Sequence, residues 1–210
     1  SYGYEKMFTY LRENLPDMAY IDIADLLAVE DFYYTDTHWR QERIVDVAQA
    51  LGDAMGVTLE AEYEAVTLDT HFYGVYYGQL ALPLEPDSIT YLEHEDFAEC
   101  TIINHETGKE IPMYDAGKAV GRDPYEMFLS GSLSVITINN PNASTEKELV
   151  IFRDSFGSSL APLLVEGYAK ITILDARYLN EVMIGNFVEF TDQDVLFIHS
   201  TGVINNETAF

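Results

Sequence analysis

The sequence predicts an α/β fold over 1–210 as one domain: a mostly parallel sheet between two layers of helices, with a β-rich insertion at about 57–125. Three observations carry this. From 133 onward, apolar strand-like runs alternate with helical stretches, and units of that length imply right-handed crossovers and a parallel sheet covered on both faces. Residues 40–55 have the periodicity of an amphipathic helix packed on a core. Hydrophobic residues make up 48% of the 210 and aromatics 13%, enough for a core and against disorder despite a net charge of −25.

In chain order, 4–14 reads as a helix, and Ala19-Tyr20-Ile21-Asp22-Ile23 alternates briefly, as a short strand does. In the helix at 40–55, Ile44, Val47, Ala48, Leu51 and Met55 recur at spacings of three and four, with Gly56 as the stop. Within the insertion, Phe72 to Gly78 and Ser88 to Leu92 read as extended, and Asn104-His105-Glu106-Thr107-Gly108-Lys109 as a turn between two extended runs. Strands are expected at 133–138, 148–152, 170–174 and 194–199, and helices at 158–166 and 179–190. The link Asn139 to Ser144 is short, so the first two of these strands are expected to pair antiparallel.

With 36 acidic against 11 basic residues, the surface repels nucleic-acid phosphates and anionic lipid heads, whose binding rests on Lys and Arg; nucleic acid is not expected as a partner. No run of 18 apolar residues exists to span a membrane. The single cysteine, Cys100, forms no internal disulfide and reads as an inert thiol. His71, His94, His105 and His199 lack metal-ligand spacing. Glu30 and Asp31 near Asp36 and His38 leave a hard-metal hydrolase as a minor rival, and the reading is no metal and no cofactor. The start Ser1-Tyr2-Gly3-Tyr4 has neither initiator Met nor signal pattern, so the chain reads as trimmed. Loss of a signal or anchor would place it outside the cell or in the envelope.

The most informative local stretch is Leu149-Val150-Ile151-Phe152-Arg153-Asp154-Ser155-Phe156-Gly157, an apolar strand running into a turn of small residues and a helix. It places Ser155 at the carboxyl end of a buried strand, where open α/β sheets put their ligands, beside N–H groups suited to an oxyanion. The plain alternative is that Asp154 or Ser155 caps the helix. A serine nucleophile needs a base and a group to orient that base. In Tyr34-Thr35-Asp36-Thr37-His38-Trp39, an extended backbone would put Asp36 and His38 on one side, so Asp36 can hold one ring nitrogen while the other faces Ser155. Here too the alternative is capping.

Asp36-Thr37-His38-Trp39 before a helix, with Arg153-Asp154-Ser155-Phe156-Gly157 far downstream, resembles the DHHW proteins of Firmicutes and the related alginate O-acetylation proteins, of the SGNH/GDSL hydrolase-like superfamily. The resemblance extends through Asp123 to Gly131, Ser158 to Tyr168 and Ile173 to Tyr178. It implies a flavodoxin-like three-layer sandwich, with Ser155 as nucleophile and Asp36 and His38 as its partners. The order Asp, His, Ser is the permuted one of the acetylation branch. Two departures stand out: Arg153 where the motif usually has Gly, and Thr37 where DHHW has its first His.

The expected antiparallel pair would bring Leu129-Ser130-Gly131-Ser132 beside Ser155, making the Gly131 N–H a candidate second oxyanion donor next to that of Ser155; a plain turn glycine is the alternative. The function implied is a serine esterase or O-acyltransferase acting on acetyl groups of a cell-envelope or extracellular polysaccharide, or on a small acyl ester. Tyr34, Tyr73 and Arg153 are candidate substrate contacts, and Tyr76, Tyr77 and Tyr91 are further stacking surfaces for sugar rings or ordinary strand tyrosines. The rival from another class is a binding or envelope-assembly module of the same fold without activity.

Overall fold

The structure, a computed structural model, describes residues 3–80 and 83–205; the expected trimming ahead of Tyr2 lies outside them. Helix α1 (Tyr4–Asn14) forms where the sequence places it. The strand expected at 19–23 does not: among the described residues no strand partners it, and Ile21 and Ile23 instead pack on the core ahead of a 3-10 turn at Ala24–Leu26. Helix α2 (Val45–Met55), led by a 3-10 turn at Gln41–Arg43, buries Val47, Ala48 and Leu51. Gly56 ends it in the left-handed region at φ 71°, which only glycine adopts without strain.

Strand β1 (Glu64–Thr67) pairs antiparallel with β2 (Thr90–Glu93) in a small sheet, and between them lies helix α3 (Val75–Leu80), where the sequence suggested an extended run. Strands β3 (Thr101–Asn104) and β4 (Lys109–Glu110) form the expected hairpin, turning at Gly108 with φ 66°. Then come β5 (Val135–Asn139), β6 (Glu148–Arg153), α4 (Phe156–Leu160), β7 (Lys170–Leu174), β8 (Asp194–Ile198) and α5 (Thr201–Ile204). Helix α4 tightens into a 3-10 run over Ala161–Gly167, and the helix expected at 179–190 is only a 3-10 turn at Glu181–Asn186.

Among the described residues the main sheet has six strands in the order β4-β3-β5-β7-β6-β8. Only β7, β6 and β8 run parallel; β4, β3 and β5 join antiparallel, so the sheet is mixed and not mostly parallel. The hairpin expected between β5 and β6 is also absent, because β7 lies between them. The link after β5 crosses the start of β7: Asn140 N–H donates to Ala169 O, its side-chain amide to Val165 O, and Ser144 N–H to Glu166 O. The β3–β4 hairpin, within the segment read as an insertion, thus extends the main sheet.

Continuous apolar strands bury both faces, and side-chain alternation sorts them. Ile136, Ile138, Leu149, Ile151, Ile171, Ile173, Leu196 and Ile198 point toward α2 and the 156–167 run in the main core. Val135, Val150, Phe152 and Leu174 point the other way, under Leu179, Ile184, Phe187 and Val188. Strand β6 sits between its two parallel neighbours, so its carboxyl end delivers Ser155 from a strand hydrogen-bonded along both edges.

Candidate active site

Ser155 follows β6 at the start of α4. Asp154 does the capping: its Oδ1 accepts from Phe156 N–H at 3.0 Å and its Oδ2 from Ser200 N–H at 2.7 Å. The Ser155 hydroxyl makes no cap bond; its Oγ stands 2.7 Å from His38 Nε2. Ser155 is half-buried, within reach of solvent.

His38 comes from a loop closed by the Phe32–Trp39 bridge and by Tyr33 N–H donating to His38 O. The loop bends, so Asp36 and His38 meet by a turn and not by strand alternation: Asp36 Oδ1 accepts from the His38 backbone N–H at 3.0 Å and lies 2.5 Å from its Nδ1. Asp36 Oδ2 accepts from Val75 N–H at 2.9 Å. Asp36 is only 3% exposed. Burial works against its ionisation, but the bonds and charge of His38 and the N–H groups of Val75 and His38 outweigh this and hold its carboxyl below the ordinary value.

The loop is itself fixed. Asp87 accepts from Tyr34 N–H, Thr35 N–H and the Thr35 hydroxyl at 3.0, 2.7 and 2.6 Å. Thr35 in turn accepts from Gly74 N–H at its hydroxyl and from Tyr76 N–H at its carbonyl. With Val75 on Asp36, successive N–H groups at the start of α3 are satisfied by a loop 39 residues away. A Cβ at Gly74 would overlap the Asp36 side chain and Thr35 O. Gly74→Ala is therefore expected to displace the Asp36 carboxylate and lower kcat on a small ester by about tenfold or more through misplacement alone; kinetics on the folded variant at wild-type rate would contradict this.

The sequence pattern gave no role beside the imidazole to two residues whose rings meet it. Tyr125 stacks on it with centroids 3.8 Å apart and planes 11° from parallel, and Phe156 covers it at 4.9 Å. Trp39 Nε1–H donates to Ser159 Oγ at 2.9 Å, and that oxygen lies 2.7 Å from the Tyr125 hydroxyl. Tyr125 lies in the Asp123–Gly131 stretch the resemblance covers, but only the fold brings it to His38. Partial burial, then the Asp36 charge, pushes the Asp123 carboxyl at the rim upward, and His38 partly offsets it.

Two expectations are corrected. Arg153 is fully buried, so it contacts no substrate. Its guanidinium lies 3.6 Å from buried Asp175 and donates to Gly131 O, Leu133 O and Asp154 O, bracing the loop at 129–133. That loop carries left-handed backbone at Leu129, Ser130 and Gly131 (φ 51°, 59° and 90°). The Gly131 N–H donates to Phe128 O at 3.1 Å, so the turn already uses the expected second oxyanion donor. No acceptor engages the Ser155 N–H among the described residues.

The remaining candidate residues disperse. Tyr34 is 70% exposed on the loop that carries Asp36 and His38, and Tyr73 packs its ring 4.6 Å from that of Tyr77 near Gly74. Tyr91 packs on Tyr114 in the small sheet. Cys100 is half-buried, its thiol pushed by burial up to about 11. Among the described residues no group of three or more His, Cys, Asp or Glu is arranged to hold a metal ion, and no helix is long and apolar enough to cross a membrane.

Sheet, serine turn and Asp-x-His loop together form a fold that solved structures share. The chain is similar to a DHHW family protein from Eubacterium siraeum, with TM-score 0.70 and 22% identity over 85% of this chain and 62% of that one. It is also similar to Bacillus cereus PatB1, with TM-score 0.63 in both a structure carrying a sulfonyl adduct (18% identity, 95% of this chain and 69% of that one) and a second structure (19%, 86% and 66%). The chain thus spans about 62% of the Eubacterium protein's length. No protein-family model matches the sequence, and no curated protein does.

Proposed function

We propose that the chain is a serine esterase or O-acyltransferase acting on O-acetyl groups of a cell-envelope or extracellular polysaccharide. The observation that carries this is the continuous line Ser155 Oγ, His38 Nε2, His38 Nδ1, Asp36 Oδ1, with contacts of 2.7 and 2.5 Å. Ser155 Oγ attacks the acyl carbonyl carbon as its proton passes to His38 Nε2, and Asp36 stabilises the resulting imidazolium. The Ser155 N–H faces the developing oxyanion. Collapse of the tetrahedral intermediate expels the sugar hydroxyl, which takes the proton back from His38 and leaves an acyl-serine. Water or a second hydroxyl then resolves the acyl-serine by the reverse sequence, giving hydrolysis or transfer from one intermediate.

A polysaccharide suits the surroundings. An open pocket is lined by Asp69, Thr70, His71, Ala119, Val120, Gly121 and Pro124, and not by Ser155, His38 or Asp36. Tyr34, Tyr73, Tyr76 and Tyr77 expose aromatic area on the two segments that hold Asp36. Aromatic faces and carboxylates are what neutral sugar rings and hydroxyls meet in binding sites. The test is turnover of p-nitrophenyl acetate by the chain and its Ser155→Ala variant: wild-type turnover reduced at least about a hundredfold in the variant supports the reading, and equal rates overturn it.

A further inference from the structure

The closest partner of the imidazole plane is an aromatic ring. Tyr125 lies face to face with His38, and its own position is set on every side. Its hydroxyl meets Ser159 Oγ, which also accepts from the indole of Trp39, the residue after His38. Its ring meets Tyr33 edge-on at 6.3 Å and Phe128 at 5.0 Å. Burial raises the Tyr125 hydroxyl pKa, so the ring stays neutral. A neutral aromatic face carries the negative part of a quadrupole and attracts a cation placed over it, the more so where water is excluded.

We propose that Tyr125 is a positioning residue for the reaction: its face fixes the plane of His38 and stabilises the imidazolium formed when Ser155 gives up its proton. This rests on the reading of Ser155, His38 and Asp36 as a working triad. Neutral imidazole gains little from the ring face, whereas the protonated ring that follows proton transfer gains more, so the stack favours the transition state over the ground state. The other groups facing the imidazole divide the work. Asp36 holds Nδ1 in line, Ser155 faces Nε2, Phe156 closes the remaining face at a 45° tilt, and Asp123 sits at the rim. Tyr125 alone offers a parallel face over the whole ring.

The test separates electronics from packing. Tyr125→Phe sets the reference, and mono-, di- and trifluorinated phenylalanines at position 125 keep its shape while draining the ring quadrupole. We expect kcat on p-nitrophenyl acetate to fall stepwise along the series, by about tenfold in all, with KM constant. Tyr125→Leu, which removes the face, should lose at least as much if it folds; the fluorinated series carries the test if it does not. A flat kcat across the series overturns the proposal while leaving the triad intact. Absence of turnover in the wild-type chain defeats the triad reading itself, and the proposal with it.

Discussion

Asp36→Asn is expected to lower kcat on a small ester by about ten-thousandfold while the chain stays folded. The carboxylate is surrounded by donors only: the N–H and Nδ1 of His38 at Oδ1, and the N–H of Val75 at Oδ2. An asparagine replaces one acceptor with an NH2 group. Turned toward His38, that group forces Nδ1 to accept, moving the ring proton to Nε2, which can then no longer take the Ser155 proton. Turned toward Val75, it opposes a backbone donor and loosens the start of α3. Steady-state kinetics with circular dichroism as the folding check measures this, and a kcat within about tenfold of wild type would remove Asp36 from the account. The native pairing also has a pH signature. Because the folded state holds this carboxyl below its ordinary value, its contribution to stability is fully present above the ordinary carboxylate range and is lost as pH falls through the lowered native value.

The largest stability effect is expected beneath the serine. Asp175 is fully buried, accepts from Arg177 Nε at 2.9 Å and Nη2 at 2.7 Å, and is the nearest countercharge of the equally buried Arg153. Burial lowers the Arg153 pKa, and Asp175 acts in the opposite direction to keep the guanidinium charged. Asp175→Ala strands that charge, at a cost of about 3–5 kcal/mol. For a chain of 210 residues this lowers the melting temperature by about 10 °C. The exposed pairs Lys118–Glu126 and Lys170–Glu148 are worth under about 1 kcal/mol, so Lys170→Ala in the same calorimetric series should shift the transition far less. Equal shifts in the two variants would contradict the assignment. The loop at 129–133 hangs on Arg153, so Asp175→Ala should also lower turnover near Ser155.

What was legible in the sequence was local. The periodicity of Val47, Ala48 and Leu51 with Gly56 behind them, and the unbroken apolar run of Leu149 to Phe152, are decided by a helix turn and a pleat, and both formed where expected. Ser155 after such a strand and His38 two residues from Asp36 were readable as neighbours-to-be because each pattern is short, and the fold brings their side chains together. What failed depended on distant partners. Phe72 to Gly78 has the composition of a strand, but N–H groups at the start of α3 are claimed by Thr35 and Asp36, which no local window contains. The short link between β5 and β6 looks like a hairpin until Ala169 and Glu166 are seen to accept its N–H groups across the start of β7. Arg153 looked outward because its countercharge, Asp175, stands far along the chain, just past the end of β7. Tyr125 gave no signal, since stacking on an imidazole leaves no mark in the spacing of either residue.

The central claim is that Ser155 is a nucleophile activated by His38. Treatment of the chain and of His38→Ala with phenylmethanesulfonyl fluoride, followed by peptide mass spectrometry, tests it most directly. The account predicts one adduct, on the peptide carrying Ser155, formed about a hundredfold or more slowly in His38→Ala. An unmodified Ser155 in the wild-type chain, or labelling at the same rate in both proteins, would contradict it.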